Sequence, residues 1–136
     1  MSSTGETTMT IELTMLAYSV GLLVIVILIQ ATAGILAQGL PAMAGSRDDL
    51  GEPSQFQARS KRVAENYKEG LLLFAPLVLA ASAAGVSTEM TVLGAQLFFY
   101  GRVAHTIIYL AGWPWIRPLA WAVGLVGTLL ILFALL

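Results

Sequence analysis

The amino-acid sequence predicts an all-α membrane protein in which four helices cross the bilayer as one bundle. Two observations lead to this prediction. Hydrophobic residues make up 57% of the 136 residues and charged residues only 11%, whereas an ordinary soluble domain is about 25% charged. Four apolar segments are also long enough to cross a hydrocarbon core about 30 Å thick, which takes roughly 20 helical residues.

The four predicted helices cover about residues 10–37, 57–85, 88–111 and 114–136. Gly39 and Pro41 end the first helix and begin a loop. Ser87 or Thr88 is suited to cap the third helix, and Pro114 suits the first turn of the fourth. Because a chain of this length holds one compact unit, we expect a single domain over residues 1–136.

Small residues on the fourth predicted helix indicate close contact with another helix. Ala120, Gly124 and Gly127 recur at spacings of three to four residues. Small side chains at such positions let two membrane helices approach closely.

The composition also excludes several classes of site. The chain has no cysteine, which excludes disulfides, thiol catalysis and cysteine metal sites. A single histidine cannot build a zinc site alone, so no metal is expected. The net charge of -1 gives no reason to expect nucleic acid. The N-terminus lacks the basic region of a signal peptide, so we expect the first apolar run to be a retained helix.

The distribution of basic residues predicts the orientation in the membrane. Six of the seven lie in or beside the first and third loops: Arg47, Arg59, Lys61, Arg62, Lys68 and Arg117. The seventh, Arg102, lies in the half of the third helix nearest the same side. Cytoplasmic loops carry an excess of Lys and Arg. We therefore expect the first and third loops in the cytoplasm and both termini in the periplasm or lumen.

Ionisable and polar residues are concentrated on two helix faces. Ten of the 15 charged residues fall between residues 47 and 69. One face of the second helix carries, at i, i+4 and i+7, Arg62, Asn66 and Glu69. One face of the third carries, at i, i+3 and i+7, Arg102, His105 and Tyr109. Because the two helices are antiparallel, these faces should meet near the cytoplasmic side.

Glu69 and Arg102 should lie at similar depth, roughly 10 Å from the ends of their helices. A charge within the membrane costs at least about 2.5–3.5 kcal/mol. We therefore expect both side chains to face the bundle interior or a wet cavity and to pair. A salt bridge that only joins the two helices is the simplest interpretation. The surplus of polar groups around the pair favours a ligand with carboxylate and amine groups.

These residues carry a resemblance to the MAPEG family, the membrane-associated proteins in eicosanoid and glutathione metabolism. The segment from Arg62 to Glu69 fits the family's second-helix pattern R-x-x-x-N-x-x-E, and the segment from Arg102 to Tyr109 resembles its third-helix pattern R-x-x-H-T-x-x-Y. The resemblance is strong over residues 59–117, whereas the first and fourth helices match in hydropathy only.

The resemblance implies a homotrimer with glutathione, as co-substrate, bound between neighbouring subunits near the cytoplasmic face. The residues it implies for glutathione binding are Arg62, Asn66, Glu69, Arg102, His105 and Tyr109. Arginine can hold the carboxylates of the tripeptide bidentately, and Glu69 can take its ammonium group. The short loops are typical of the family's bacterial members, which implies a bacterial inner membrane.

Arg117 is the candidate catalytic residue by the same resemblance, since an arginine near the start of the fourth helix stabilises the glutathione thiolate in better-known members. A free thiol has a pKa near 8.5, and only the thiolate attacks well. A cation and a helix N-terminus both favour the thiolate. The implied activity is that of a glutathione transferase or peroxidase acting on lipophilic electrophiles, as in detoxification. Alternatively, Arg117 only anchors the helix at the cytoplasmic face.

Three departures from the family pattern bear on these expectations. Gly70 stands where several members have an aromatic residue, so one glutathione contact is expected to be missing. The connection from Tyr109 to Arg117 is one residue shorter than in a better-known member, which leaves the register of Arg117 open. No basic residue stands near Gln38, at the end of the first helix, which disfavours eicosanoid chemistry.

Two other functions fit the same residues. The chain could be a non-catalytic membrane protein of this fold that binds glutathione or a partner helix. It could also be a small transporter or channel subunit in which Arg102, Glu69 and His105 relay ions, since ionisable residues within membrane helices often mark ion paths.

Overall fold

Five helices form the fold in a computed structural model of the chain, which describes residues 9–48 and 50–136. In chain order they are α1 (Ile11–Gln38), α2 (Leu40–Ala44), α3 (Gln55–Ala83), α4 (Glu89–Ala111) and α5 (Arg117–Leu135). Four are long, at 28, 29, 23 and 19 residues. The short helix α2 lies in the segment expected to be a loop, with Pro41 in its first turn, where the missing N–H of proline costs nothing.

Side-chain caps define the starts of the first three long helices. The hydroxyls of Thr10 and Ser54 each accept a hydrogen bond from the backbone N–H three residues further on, at 3.2 and 3.0 Å. Thr88 and Thr91 form a reciprocal capping box at the start of α4. Each bond satisfies an amide that has no partner within its own helix. Thr88 is therefore the cap that the sequence placed at residue 87 or 88.

The last helix begins at Arg117 rather than at Pro114, so its predicted start was wrong. A helix that began at Pro114 would need the N–H of residue 118 to bond to the carbonyl of residue 114. Residue 118 is a proline and has no N–H. Residues 114–116 therefore form a separate turn, and Pro118 falls in the first turn of α5.

Helices α4 and α5 pack closely because glycines face each other across the contact. A Cβ built on Gly94 would lie 2.5 Å from the Gly127 carbonyl oxygen, and one on Gly101 would lie 2.9 Å from the Gly124 nitrogen. Neither position has room for a side chain. The two glycines predicted to support a helix contact, Gly124 and Gly127, thus do so against α4.

Two apolar clusters join the long helices. The larger contains Met15, Phe74, Val78, Ala95, Phe98 and Ile131. Its centre is the stacked pair Phe74 and Phe98, whose ring centres are 3.9 Å apart. The second contains Val26, Val63, Ala64 and Tyr67. Together they hold α3 against α1 and α4, and this packing sets which polar positions face each other further along the same helices.

The outer surface of the bundle is apolar. Leu36 is 81% exposed, Leu72 74% and Leu119 67%, and an exposed apolar surface of this kind requires lipid or another protein to cover it. Within the described residues, α1 and α5 have the length and composition of membrane-spanning helices. Helices α3 and α4 are also long, but they carry the ionisable residues of the predicted site.

The close contact between α4 and α5 predicts that a glycine-to-alanine substitution destabilises the protein at Gly127 but not at Gly21. Gly127→Ala should lower the free energy of unfolding by about 1–3 kcal/mol, because its Cβ would lie 2.7 Å from the Phe98 nitrogen and must push α5 off α4. Gly21→Ala is the control, since Gly21 has nothing within 4 Å of its Cβ position. It should be neutral or stabilising by up to about 1 kcal/mol. Unfolding in detergent measures both, and equal effects would contradict the packing.

Candidate functional site

The predicted site residues lie where α3 and α4 face each other and where α5 begins. Helix α3 contributes Arg62, Asn66 and Glu69, and helix α4 contributes Arg102, His105 and Tyr109. Arg117 is the first residue of α5.

Arg102 lies at the centre of the group and is only 4% exposed. Its Nη1 donates a hydrogen bond to Oδ1 of Asn66 at 2.5 Å. The guanidinium carbon lies 5.6 Å from the ring centres of both Tyr67 and Phe98, at a distance where cation–π attraction is significant. Among the described residues, its Nε has no hydrogen-bond partner. The guanidinium therefore has donors to spare for a ligand.

The Arg102 guanidinium packs directly against the backbone of Gly70. A Cβ at residue 70 would lie 2.7 Å from the Arg102 Cζ, with Nη2 closer still. On the other side, Arg102 Nε lies 3.8 Å from the Cβ position of Gly124. The missing aromatic at residue 70 is thus more than a lost contact. It makes the space in which a buried arginine fits.

The expected ion pair between Glu69 and Arg102 does not form, so that prediction was wrong. In the described part of the chain, no carboxylate oxygen lies within 4.0 Å of a Lys or Arg nitrogen. Arg102 bonds to Asn66 instead, one turn closer to the start of α3, and Glu69 remains exposed. Both residues nevertheless line one cavity. The carboxylate is free to take a cationic group from a ligand.

Tyr109 connects three helices. Its hydroxyl accepts a hydrogen bond from Nε of Arg62 at 3.1 Å. The Arg117 guanidinium lies 4.6 Å from the centre of the Tyr109 ring. The shorter connection between Tyr109 and Arg117 therefore does not carry Arg117 away, and its cation lies against the residues of α3 and α4.

His105 lies beside Tyr109, with ring centres 5.4 Å apart in an edge-to-face arrangement. It is 2% exposed, and its Nδ1 has no hydrogen-bond partner among the described residues. His105 is thus a buried imidazole at the inner wall of the site, with polar capacity that the chain itself leaves unused.

Two cavities adjoin these residues. One of about 100 Å³ is lined by Asn66, Glu69, Gly70, Leu73, Phe98, Arg102, Trp121, Gly124, Leu125 and Thr128. A second of about 500 Å³ lies between the end of α1, the first loop and the start of α3, and Arg62 lines it. Ligand pockets typically measure about 300–1,000 Å³. The cavity at Arg102 is therefore smaller than a typical ligand pocket.

Sequence reasoning missed several contributors to this region. Phe98 precedes Arg102 by four residues on α4, and that spacing alone could have placed its ring beneath the guanidinium. Gln38 was noted only for lacking charge, yet its side chain holds the first loop against α1 by bonds to Gly51 and Gln57. No pattern in the sequence marks Trp121 and Thr128 as cavity-lining residues.

The arrangement is suited to a ligand that carries more negative than positive charge. The guanidinium groups of Arg62 and Arg117 lie against the Tyr109 ring, and that of Arg102 donates to Asn66. One carboxylate, that of Glu69, lies at the rim. Arginine binds carboxylates by paired hydrogen bonds, and a carboxylate accepts from an ammonium. The described residues contain no group of three or more acidic, histidine or cysteine ligands for a metal.

A double-mutant cycle tests the contact at the centre of the site. Asn66→Ala should destabilise the chain by about 1–3 kcal/mol, because it removes the acceptor of a buried charged donor. In an Arg102→Met background the same change should cost less than about 0.5 kcal/mol, since the donor is gone. Thermal unfolding in detergent measures the four proteins, and equal costs in both backgrounds would rule out the hydrogen bond.

Comparison with models of known protein families gives a match over most of the chain. The sequence model of the MAPEG family matches residues 13–136, which includes all four long helices except the first two residues of α1. No curated protein and no solved structure matches the chain significantly. The family match and the two apolar helices identify an integral membrane protein. The chain belongs to the MAPEG family.

Proposed function

We propose that the chain is a glutathione-dependent transferase or peroxidase that activates the glutathione thiolate against lipophilic electrophiles. The observation that supports this most directly is the placement of Arg117 against Tyr109, whose hydroxyl is bonded to Arg62. It puts a cation at the start of α5 beside the group of polar residues on α3 and α4. Family membership supports a glutathione-related role of the same kind.

Glutathione carries two carboxylates, one ammonium and one thiol. In the proposed complex, Arg62 and Arg102 take the carboxylates and Glu69 takes the ammonium. Hydrogen bonds from Asn66, His105 and Tyr109 orient the bound glutathione. The unused Nε of Arg102 and Nδ1 of His105 suit this role, because buried polar atoms normally have partners.

Arg117 would act on the thiol. The N-cap residue Ile116 gives α5 no side-chain cap, so the partial positive charge of this helix end adds to that of the guanidinium. Both favour the thiolate over the thiol. With a chlorinated nitroaromatic, the thiolate sulfur forms a bond to the ring carbon, the carbon–chlorine bond breaks, and chloride leaves with the electron pair. The thiol proton goes to water.

We further propose that the four long helices all cross the membrane and that three copies assemble. The cavity at Arg102 is too small for a tripeptide, and Leu73, which lines it, is 58% exposed. A neighbouring subunit that covers this surface would complete the site and bury the apolar residues. The membrane would be a bacterial inner membrane.

Turnover with glutathione and a chlorinated nitroaromatic tests the proposed function. Arg117→Ala should lower kcat by about tenfold or more, because one unit of thiol pKa changes the thiolate fraction about tenfold, while calorimetric glutathione affinity is retained. Glu69→Gln should weaken that affinity about tenfold without a change in unfolding temperature. Lys68→Ala is the control, since its exposed side chain lines neither cavity.

Each alternative function has its own outcome in this experiment. Glutathione binding without turnover in the wild-type protein would replace the transferase by a non-catalytic glutathione-binding protein. Ion or proton flux in liposomes without glutathione would point to a transporter or channel subunit. Turnover that survives Arg117→Ala unchanged would remove Arg117 from the mechanism.

The proposed orientation has the first loop in the cytoplasm, because the basic residues are concentrated there. Since the chain has no native cysteine, an Asp48→Cys variant carries a single thiol in this loop, and Ser87→Cys carries one at the opposite end of the bundle. An impermeant maleimide added to intact spheroplasts should label residue 87 and spare residue 48. The reverse pattern would invert the orientation.

A further inference from the structure

A second polar cluster lies at the other end of the bundle, where α1 and α4 begin. Glu12 is in the first turn of α1 and is 3% exposed. Its Oε2 accepts a hydrogen bond from the Thr91 hydroxyl at 2.7 Å. Its Oε1 has no hydrogen-bond partner among the described residues. A buried carboxylate oxygen without a partner is costly, so this atom points to a missing positively charged or hydrogen-bond-donating group.

A cavity of about 130 Å³ adjoins this carboxylate. Its polar lining is Glu12 and the three hydroxyl residues Thr10, Ser82 and Ser87, and its apolar wall includes Val78 and Val86. The turn between α3 and α4 forms its mouth, where Ser82 and Ser87 are exposed. The cavity therefore opens toward the membrane surface and ends at the buried Glu12 carboxyl group.

Among residues 9–48 and 50–136, no cation lies beside this carboxylate. All seven Lys and Arg residues lie at residues 47–68, 102 and 117, and none of them lines this cavity. No Lys or Arg nitrogen lies within 4.0 Å of Glu12. Within the described residues Glu12 therefore has no positive partner, and the cavity beside it has room for one.

We propose that this cavity binds a primary ammonium group through Glu12. An ammonium has three N–H donors, of which Oε1 would accept one and the hydroxyls of Ser82 and Ser87 could accept others. The walls at Val78 and Val86 suit the methylene groups attached to the nitrogen. A volume of about 130 Å³ corresponds to roughly four water molecules, enough for an ethanolammonium group.

The site selects against a quaternary ammonium, which has no N–H to donate to Glu12 and needs more room. It lies at the end of α1, and the ends of spanning helices meet the lipid headgroups. The ammonium can come from phosphatidylethanolamine or from a free amine such as ethanolamine. The chemistry at Glu12 is the same for both sources, and the experiment separates them.

Native mass spectrometry of the protein with equal amounts of phosphatidylethanolamine and phosphatidylcholine, matched in acyl chains, tests the lipid source. The wild-type protein should retain about tenfold more phosphatidylethanolamine than phosphatidylcholine. Glu12→Gln should abolish the preference. The matched control is Glu89→Gln, which removes an exposed carboxylate from the first turn of α4 at the same end of the bundle and should keep it.

Ser82→Leu serves as a second variant that leaves the Glu12 carboxylate in place and fills the cavity from its mouth. It should also abolish the preference, and it keeps the test valid if Glu12→Gln fails to fold.

The free-amine arm compares the unfolding temperature in ethanolammonium chloride and in sodium chloride at equal ionic strength. Stabilisation by ethanolammonium in the wild-type protein but not in Ser82→Leu assigns the site to a soluble amine. The proposal is overturned if neither arm discriminates, if sodium stabilises equally, or if Glu89→Gln has the same effect as Glu12→Gln.

Discussion

The guanidinium group of Arg102 is buried between helices, and the residues packed around it must stabilise its charge. Burying the charge of Arg102 away from water is costly, and the surroundings offset this cost in three ways. Asn66 accepts one of its hydrogen bonds, aromatic rings lie on its flanks, and Gly70 leaves room for it. Because Arg102 is held without a carboxylate, Glu69 makes no ion pair with it.

The close packing of α4 and α5 connects that buried charge to the start of α5. Glycines such as Gly101 and Gly124 bring the two backbones together, and the same approach places Gly124 beside the Arg102 side chain. Further along, Tyr109 contacts both Arg62 and Arg117. One end of the bundle is thus rich in cations, whereas the other holds the buried carboxylate of Glu12. The two ends are suited to ligands of opposite charge.

Helical periodicity and capping chemistry were enough to predict the long helices and the two polar faces. The spacing of Arg62, Asn66 and Glu69 gives a shared face and an approximate depth, but it does not choose among side-chain rotamers. For that reason the partner of Arg102 was predicted one turn away from the residue that it binds. The role of Gly70 could not be predicted from the sequence. The need for a glycine there becomes visible only once the position of the Arg102 side chain is known.

Lone residues were the least predictable. Glu12 reads in the sequence as a carboxylate at the outer end of a helix, where solvent would normally surround it. It accepts a hydrogen bond from Thr91, which is 79 residues away in the chain, and no local pattern predicts a contact of that range. The start of α5 is set by the missing N–H of Pro118. The apolar composition of residues 114–136 predicted an earlier start, because it does not take this single missing hydrogen bond into account.

Solid-state NMR of the protein in lipid bilayers tests the central claim most directly. With arginine labelled by ¹⁵N and glycine by ¹³C, an Arg59→Met variant removes the second close pair, between Arg59 and Gly112. The remaining strong coupling should join the guanidinium nitrogens of Arg102 to the α-carbon of Gly70, with a weaker one to Gly124. Arginine signals that couple to lipid acyl protons and to neither glycine would contradict the buried guanidinium and the site built around it.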